Sequence, residues 1–121
     1  MRSSLLAAGL SLAVGSAGAA APGELARGWA ALRAMDCARC HGRDYGGWAA
    51  PSLIAAVRDG TRERFNYFVL EGDPVRGMPG YRAQPVAVTE LNAIYAYLLA
   101  RADGSIAAGP PAVDSVERPA R

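Results

Sequence analysis

The chain has 121 residues, 51 % of them hydrophobic, with thirteen basic side chains against eleven acidic ones and a formal net charge of +2. Every base is arginine; the sequence contains no lysine. A balance this close to neutral leaves no basic footprint for nucleic acid and no polybasic segment for an anionic membrane, and the length suits one small domain.

Residues 1–20 are predicted to be a secretory signal peptide. Arg2 supplies a positive n-region, Leu5 to Val14 a short apolar run, and Ala17-Gly18-Ala19 a small-residue cleavage site, with Ala20 an alternative end. The apolar run falls short of the ~20 residues that span a bilayer; an uncleaved N-terminal anchor is the competing possibility. No second long apolar run follows, so no stable membrane insertion is expected, and a bacterial periplasm is the expected location.

Glu24 to Met35 reads as an amphipathic helix, with Leu25, Gly28, Trp29 and Leu32 at helical spacing. It leads into Cys37-Ala38-Arg39-Cys40-His41, a C-x-x-C-H run that holds both cysteines and the single histidine of the protein. This is the attachment signature of c-type haem. Two thiols on one helical turn can each bond to a vinyl group, and the imidazole of the next residue can reach the iron. A zinc site of the usual kind needs four ligands, and a second Cys or His pair is absent from the sequence. A thioredoxin-like pair expects a βαβ context, and the flanks hold no β-rich run. A disulfide across so short a spacing would constrain little chain. The expected cofactor is therefore one covalent haem c, held by Cys37 and Cys40, with His41 as an axial ligand.

Gly42 is a natural stop for the attachment helix, and Arg43 to Ala50 reads as a glycine-containing loop. Pro51-Ser52-Leu53 opens a short segment that ends at Asp59-Gly60. Thr61 is placed to cap a helix over Arg62 to Glu71, with Phe65, Phe68 and Val69 on one face. Gly72-Asp73-Pro74 breaks it, and Val75 to Val86 is expected to be irregular because of its glycines and prolines. Thr89 is then read as the cap of the strongest helix, in which Leu91, Ile94, Tyr95, Leu98 and Leu99 make one apolar face. Asp103-Gly104 ends it. Residues 105–121 are rich in Ala and Pro and read as a loose or surface-draped tail. The pattern is all-α with long loops, which a ligand must organise. The expected division is a signal peptide over 1–20, one domain over 21–104 and the tail over 105–121.

A second axial ligand is sought among the methionines. Met35 lies two residues before Cys37 and is tied to the attachment side. Met78 sits in Arg76-Gly77-Met78-Pro79-Gly80-Tyr81, a loop rather than an apolar helix face, where a mere core methionine is unusual. His41/Met78 ligation raises the reduction potential and leaves no open site for dioxygen or peroxide. A one-electron carrier is therefore expected and not an enzyme. The alternative is a haem c enzyme or a gas or redox sensor with an open distal site.

The order of these features resembles the class I monohaem cytochromes c over nearly the whole mature chain, which implies the cytochrome c fold. In that family the backbone carbonyl of a proline at the Pro51 position accepts a hydrogen bond from the ligating imidazole. A glycine and an aromatic meet where the terminal helices cross, and Gly28 and Tyr97 match those positions. The Arg76–Tyr81 run, together with Tyr97-Leu98-Leu99-Ala100-Arg101-Ala102-Asp103-Gly104 and the Gly-Pro-Pro that follows, is similar to small periplasmic cytochromes that serve PQQ-dependent alcohol dehydrogenases of the methanol and ethanol type. That similarity implies such a quinoprotein as electron donor and a terminal oxidase or another cytochrome as acceptor. A monomer is expected, docking through the exposed haem edge on the Cys40 side and the Met78–Tyr81 loop. Arg76 and Arg82 are candidates to orient the partner, to pair with a propionate, or to be solvated surface charge.

Overall fold

Three α-helix ends marked by glycine, at Gly42, Gly60 and Gly72, and two α-helix starts marked by proline set the frame of the molecule. The computed structural model describes residues 19–112. The predicted signal peptide therefore lies almost wholly outside the described residues, as does the end of the tail.

Helix α1 (Pro22–Ala34) carries proline in its first turn, where the missing N–H has no intrahelical partner to lose. Asp36, at φ +54°, turns the chain into the single-turn helix α2 (Ala38–His41), which ends at Gly42 with φ +90°. Helix α3 (Leu53–Asp59) is capped by Ser52, whose Oγ accepts from the Ala55 N–H at 3.1 Å. Helix α4 (Arg62–Glu71) is capped in the same way by Thr61, whose Oγ1 accepts from the Arg64 N–H at 3.2 Å. A 3₁₀ turn over Pro74–Arg76 follows, then helix α5 (Pro85–Ala102). No strand occurs among the described residues; Asp73 and Met78 form one isolated antiparallel bridge.

The start of α5 departs from the expectation. Thr89 lies inside the helix, and Pro85 opens it. A proline read as a breaker is compatible with a first turn, because its fixed φ suits the helix and its absent N–H is one that has no acceptor there.

Helices α1 and α5 cross at Gly28. A Cβ added there would overlap the Ala93 carbonyl oxygen and lie 3.0 Å from Tyr97 Cβ, so only glycine allows the approach. The contact buries Ala31, Leu32, Ile94, Tyr97 and Leu98. Tyr45, 3 % exposed, meets Tyr97 edge to face at 6.3 Å between centroids. Val57 of α3 and Phe65 of α4 complete this core, with Phe65 against Tyr95 at 5.4 Å. The glycine and the tyrosine singled out in the sequence thus face each other at the crossing, and Tyr97 is fully buried rather than a surface residue.

Residues 105–112 are draped over this frame rather than loose. Ile106 packs against the core, and the Tyr97 hydroxyl donates to the Gly109 carbonyl at 2.7 Å. A cavity of about 440 Å³ remains between α1, Arg43–Tyr45 and Ala108–Pro110. No helix among the described residues is long and apolar enough to cross a membrane.

Candidate functional site

The C-x-x-C-H run forms the α2 turn, so Cys37, Cys40 and His41 are brought together by local backbone alone. Both thiols are free. Cys37 is half-buried against the core, and burial is the main cause that pushes its thiol up to about 11, with the neighbouring Asp36 and Cys40 adding to it. Cys40 is exposed. No group of three or more Cys, His, Asp or Glu among the described residues is placed to hold a bare metal ion.

The chain after α2 folds back onto it. The Ala50 N–H donates to the Cys40 carbonyl at 2.9 Å, and the Gly47 N–H donates to the His41 carbonyl at 2.7 Å. This return brings Pro51 to the histidine: His41 Nδ1 lies 2.7 Å from the Pro51 carbonyl oxygen. A carbonyl can only accept, so Nδ1 carries a proton and donates, and in the neutral ring this tautomer leaves the Nε2 lone pair bare. That is the state an imidazole needs to bind a metal, with its ring orientation fixed from behind.

Met78 is positioned from the far end of α4. Its N–H donates to the Asp73 carbonyl at 3.0 Å, and its carbonyl accepts from the Asp73 N–H at 2.9 Å. The chain beyond it runs along the helix end, with the Tyr81 N–H donating to the Val69 carbonyl at 2.9 Å and the Arg82 N–H to the Leu70 carbonyl at 3.1 Å. Gly72 and Gly80 permit this: a Cβ on Gly72 would meet Gly80 N at 2.6 Å, and one on Gly80 would meet the Leu70 carbonyl oxygen at 2.7 Å. The Tyr81 hydroxyl is held protonated above its ordinary range, first by burial and then by the nearby charges of Cys37, Cys40 and Asp36. Tyr81, three residues after Met78, therefore lies within electrostatic reach of the attachment turn.

The fit to a haem rests on these observations. Two unpaired thiols and an imidazole with a bare Nε2 occupy one turn, and a thioether sits in a clamped loop. Leu53, Ile54, Val69, Leu91 and Tyr95 pack on the core but stay only partly covered by protein, leaving apolar surface from α3, α4 and α5 for a large apolar plane. The donor set and its surroundings suit a tetrapyrrole.

Two arginines named from the sequence are engaged nearby. Arg76 pairs with Asp73 at 3.3 Å, and Arg82 pairs with Glu71. Both pairs are solvent-exposed and brace the Met78 loop. Sequence reasoning missed the exposed Trp48 and its neighbours Arg39 and Arg43, which carry no periodicity to mark them.

An all-α fold with crossed terminal helices and a C-x-x-C-H turn defines a monohaem c-type cytochrome, an electron carrier with one covalent haem. Comparison with known proteins agrees. Residues 23–98 match the family model described as cytochrome c oxidase, cbb3-type, subunit III, and the chain belongs to that family. It is 30 % identical over 112 residues to cytochrome c-555 of Methylococcus capsulatus, covering 90 % of this chain and 89 % of that protein. Among solved structures it is similar to the c-type cytochrome XoxG of Methylobacterium extorquens, with a TM-score of 0.66 and 26 % identity. That match covers 74 % of this chain, which spans only 57 % of the XoxG chain.

Proposed function

We propose that this protein is a periplasmic one-electron carrier that takes electrons from a PQQ-dependent alcohol dehydrogenase and passes them toward a terminal oxidase or another cytochrome. Cys37 and Cys40 would hold the haem covalently, His41 Nε2 and the Met78 thioether would bind its iron, and the Pro51 carbonyl orients the imidazole. When bound, the haem supplies a ferric/ferrous couple, and the protein tunes it through the ligands and their surroundings. The Nδ1–H donated to the Pro51 carbonyl fixes the orientation of the His41 ring. The Met78 backbone is held from both sides by Asp73. Iron held by both donors would have no open position for dioxygen or peroxide, which would suit electron transfer and not bond chemistry.

The observation that carries the assignment is the 2.7 Å contact between His41 Nδ1 and the Pro51 carbonyl, ten residues apart, which leaves Nε2 free to bind iron. The donor rests on the Arg76–Tyr81 resemblance, with the likeness to XoxG on the same side. The division into a signal peptide over 1–20, a cytochrome domain over 21–104 and a tail over 105–121 belongs to the same proposal.

Met78→Ala tests the ligand set in the holoprotein. The ferrous wild type is expected to exclude CO, and the variant to bind it with a lower potential. Ready CO binding by the wild type would instead make it a haem enzyme or sensor with an open distal site. The donor is tested separately: a substrate-reduced quinoprotein should reduce the ferric protein much faster than an unrelated dehydrogenase does.

A further inference from the structure

Trp48 is 78 % exposed, on the loop that returns from α2 to Pro51. A lone exposed apolar residue is ordinary, but this one is displayed on a braced backbone. Its N–H donates to the Ala50 carbonyl at 3.0 Å, and the Ala50 N–H donates in turn to the Cys40 carbonyl at 2.9 Å. Gly47, at φ +101°, makes the turn before it, and a Cβ there would meet the Ser52 N at 3.0 Å. The indole is therefore presented from a fixed loop, and little backbone freedom is lost when something covers it.

Trp48 forms one wall of a shallow open groove of about 600 Å³, which Ala38, Arg39, Gly42, Arg43 and Gly47 also line. The two arginines set its charge. Arg27, Arg58, Arg76 and Arg82 are each paired with a carboxylate, but Arg39 and Arg43 are exposed and make no ion pair among the described residues. A flat aromatic beside two uncommitted guanidinium groups is the composition that dominates binding energy at protein interfaces. Ala38 and Arg39 of the groove belong to the attachment turn itself, next to the exposed Cys40, so a protein seated on the groove is brought close to that turn.

We propose that Trp48, flanked by Arg39 and Arg43, is the docking anchor for the electron-donor protein, whose surface supplies an apolar pocket rimmed by carboxylates. This deepens the quinoprotein-donor proposal above and rests on it. It moves the orienting charges from Arg76 and Arg82, which their own carboxylates engage, to the attachment turn. Two local charges on a nearly neutral molecule give an encounter only mildly slowed by salt.

The test is stopped-flow mixing of ferric holoprotein with substrate-reduced quinoprotein. Trp48→Ala should lower the second-order rate about thirty-fold, the size of one lost anchor. Its midpoint potential and its rate with a small inorganic reductant should stay at wild-type values. Arg39→Glu combined with Arg43→Glu should slow the reaction about tenfold and make it faster, not slower, as salt rises. This double variant decides the matter alone if Trp48→Ala does not mature. A Trp48→Ala rate within threefold of wild type overturns the docking anchor while the donor stands. A shifted potential or a slowed inorganic reaction also overturns it, because Trp48 would then act on the haem. A wild type that the quinoprotein reduces no faster than an unrelated dehydrogenase does would overturn donor and anchor together.

Discussion

Gly28→Ala is expected to destabilise the protein, although alanine is the better helix former. In the interior of a helix the exchange gains about 1 kcal/mol from backbone entropy alone. Here the new methyl would overlap the Ala93 carbonyl oxygen and lie 2.6 Å from the carbonyl carbon. Both atoms belong to the backbone of α5, so no rotamer change relieves the clash and the helices must part. Over-packing of this kind costs about 1–3 kcal/mol and sometimes more, and parting the helices also loosens Leu32, Ile94 and Tyr97 around the contact. A net loss of about 1–2 kcal/mol follows, which for a domain of this size lowers the melting temperature by about 4–16 °C. Gly23→Ala is the control within the same helix: a Cβ there meets nothing within 4 Å. It should be neutral or stabilising by up to about 1 kcal/mol. Thermal melts of the two ferric holoproteins, followed by far-ultraviolet circular dichroism, should move in opposite directions. A Gly28→Ala melt within 2 °C of wild type would show that the crossing is not limited by backbone contact.

Two further outcomes are expected. Tyr97→Phe removes the hydroxyl that donates to the Gly109 carbonyl at 2.7 Å; it should cost about 1 kcal/mol in denaturant midpoint without a change in slope, and speed amide exchange near Ile106. Burial pushes the Tyr45 phenol up to about 12, so the folded state holds that proton more tightly than the unfolded chain. Its stabilising contribution is complete below about pH 10 and is lost as pH rises through 12, amounting to about 2–3 kcal/mol across that window. Unfolding curves at pH 9 and 11 should differ more for wild type than for Tyr45→Phe; equal differences would remove Tyr45 from the alkaline response.

Local signals in the sequence were followed by the structure wherever the element is specified locally. Thr61, the apolar face of α4 and Gly72 mark the start, orientation and end of that helix within a dozen residues, and its bounds agree with expectation. The C-x-x-C-H run needs one helical turn, and it has one. Pro85 was misread on local grounds, and what the sequence left open depends on segments the fold brings together. Pro85 opens α5 because nothing in its first turn needs the missing N–H, which a list of breakers does not reveal. Arg76 and Arg82 are engaged because the Met78 loop folds back to Asp73 and the end of α4. The order of residues 105–112 comes from Ile106 and from the Tyr97–Gly109 bond, neither of which has a periodic signature. Trp48 was invisible as a surface feature because exposure is a property of the folded loop.

The crossing of α1 and α5 has a topological consequence. Every residue assigned to the site, from Cys37 to Met78, lies in the chain between Gly28 and Ala93, so the helix contact shuts that stretch into a ring. The entropy of ring closure grows only slowly with its length, and a tight terminal contact can therefore restrain all the loops inside it at once. Slackening the crossing should widen the fluctuations of the Asp73–Met78 bridge even though neither residue touches it. The stiffness of the Met78 loop is in this sense set at the crossing of α1 and α5, and changes there should be felt as altered mobility of that loop rather than as altered chemistry of its side chains.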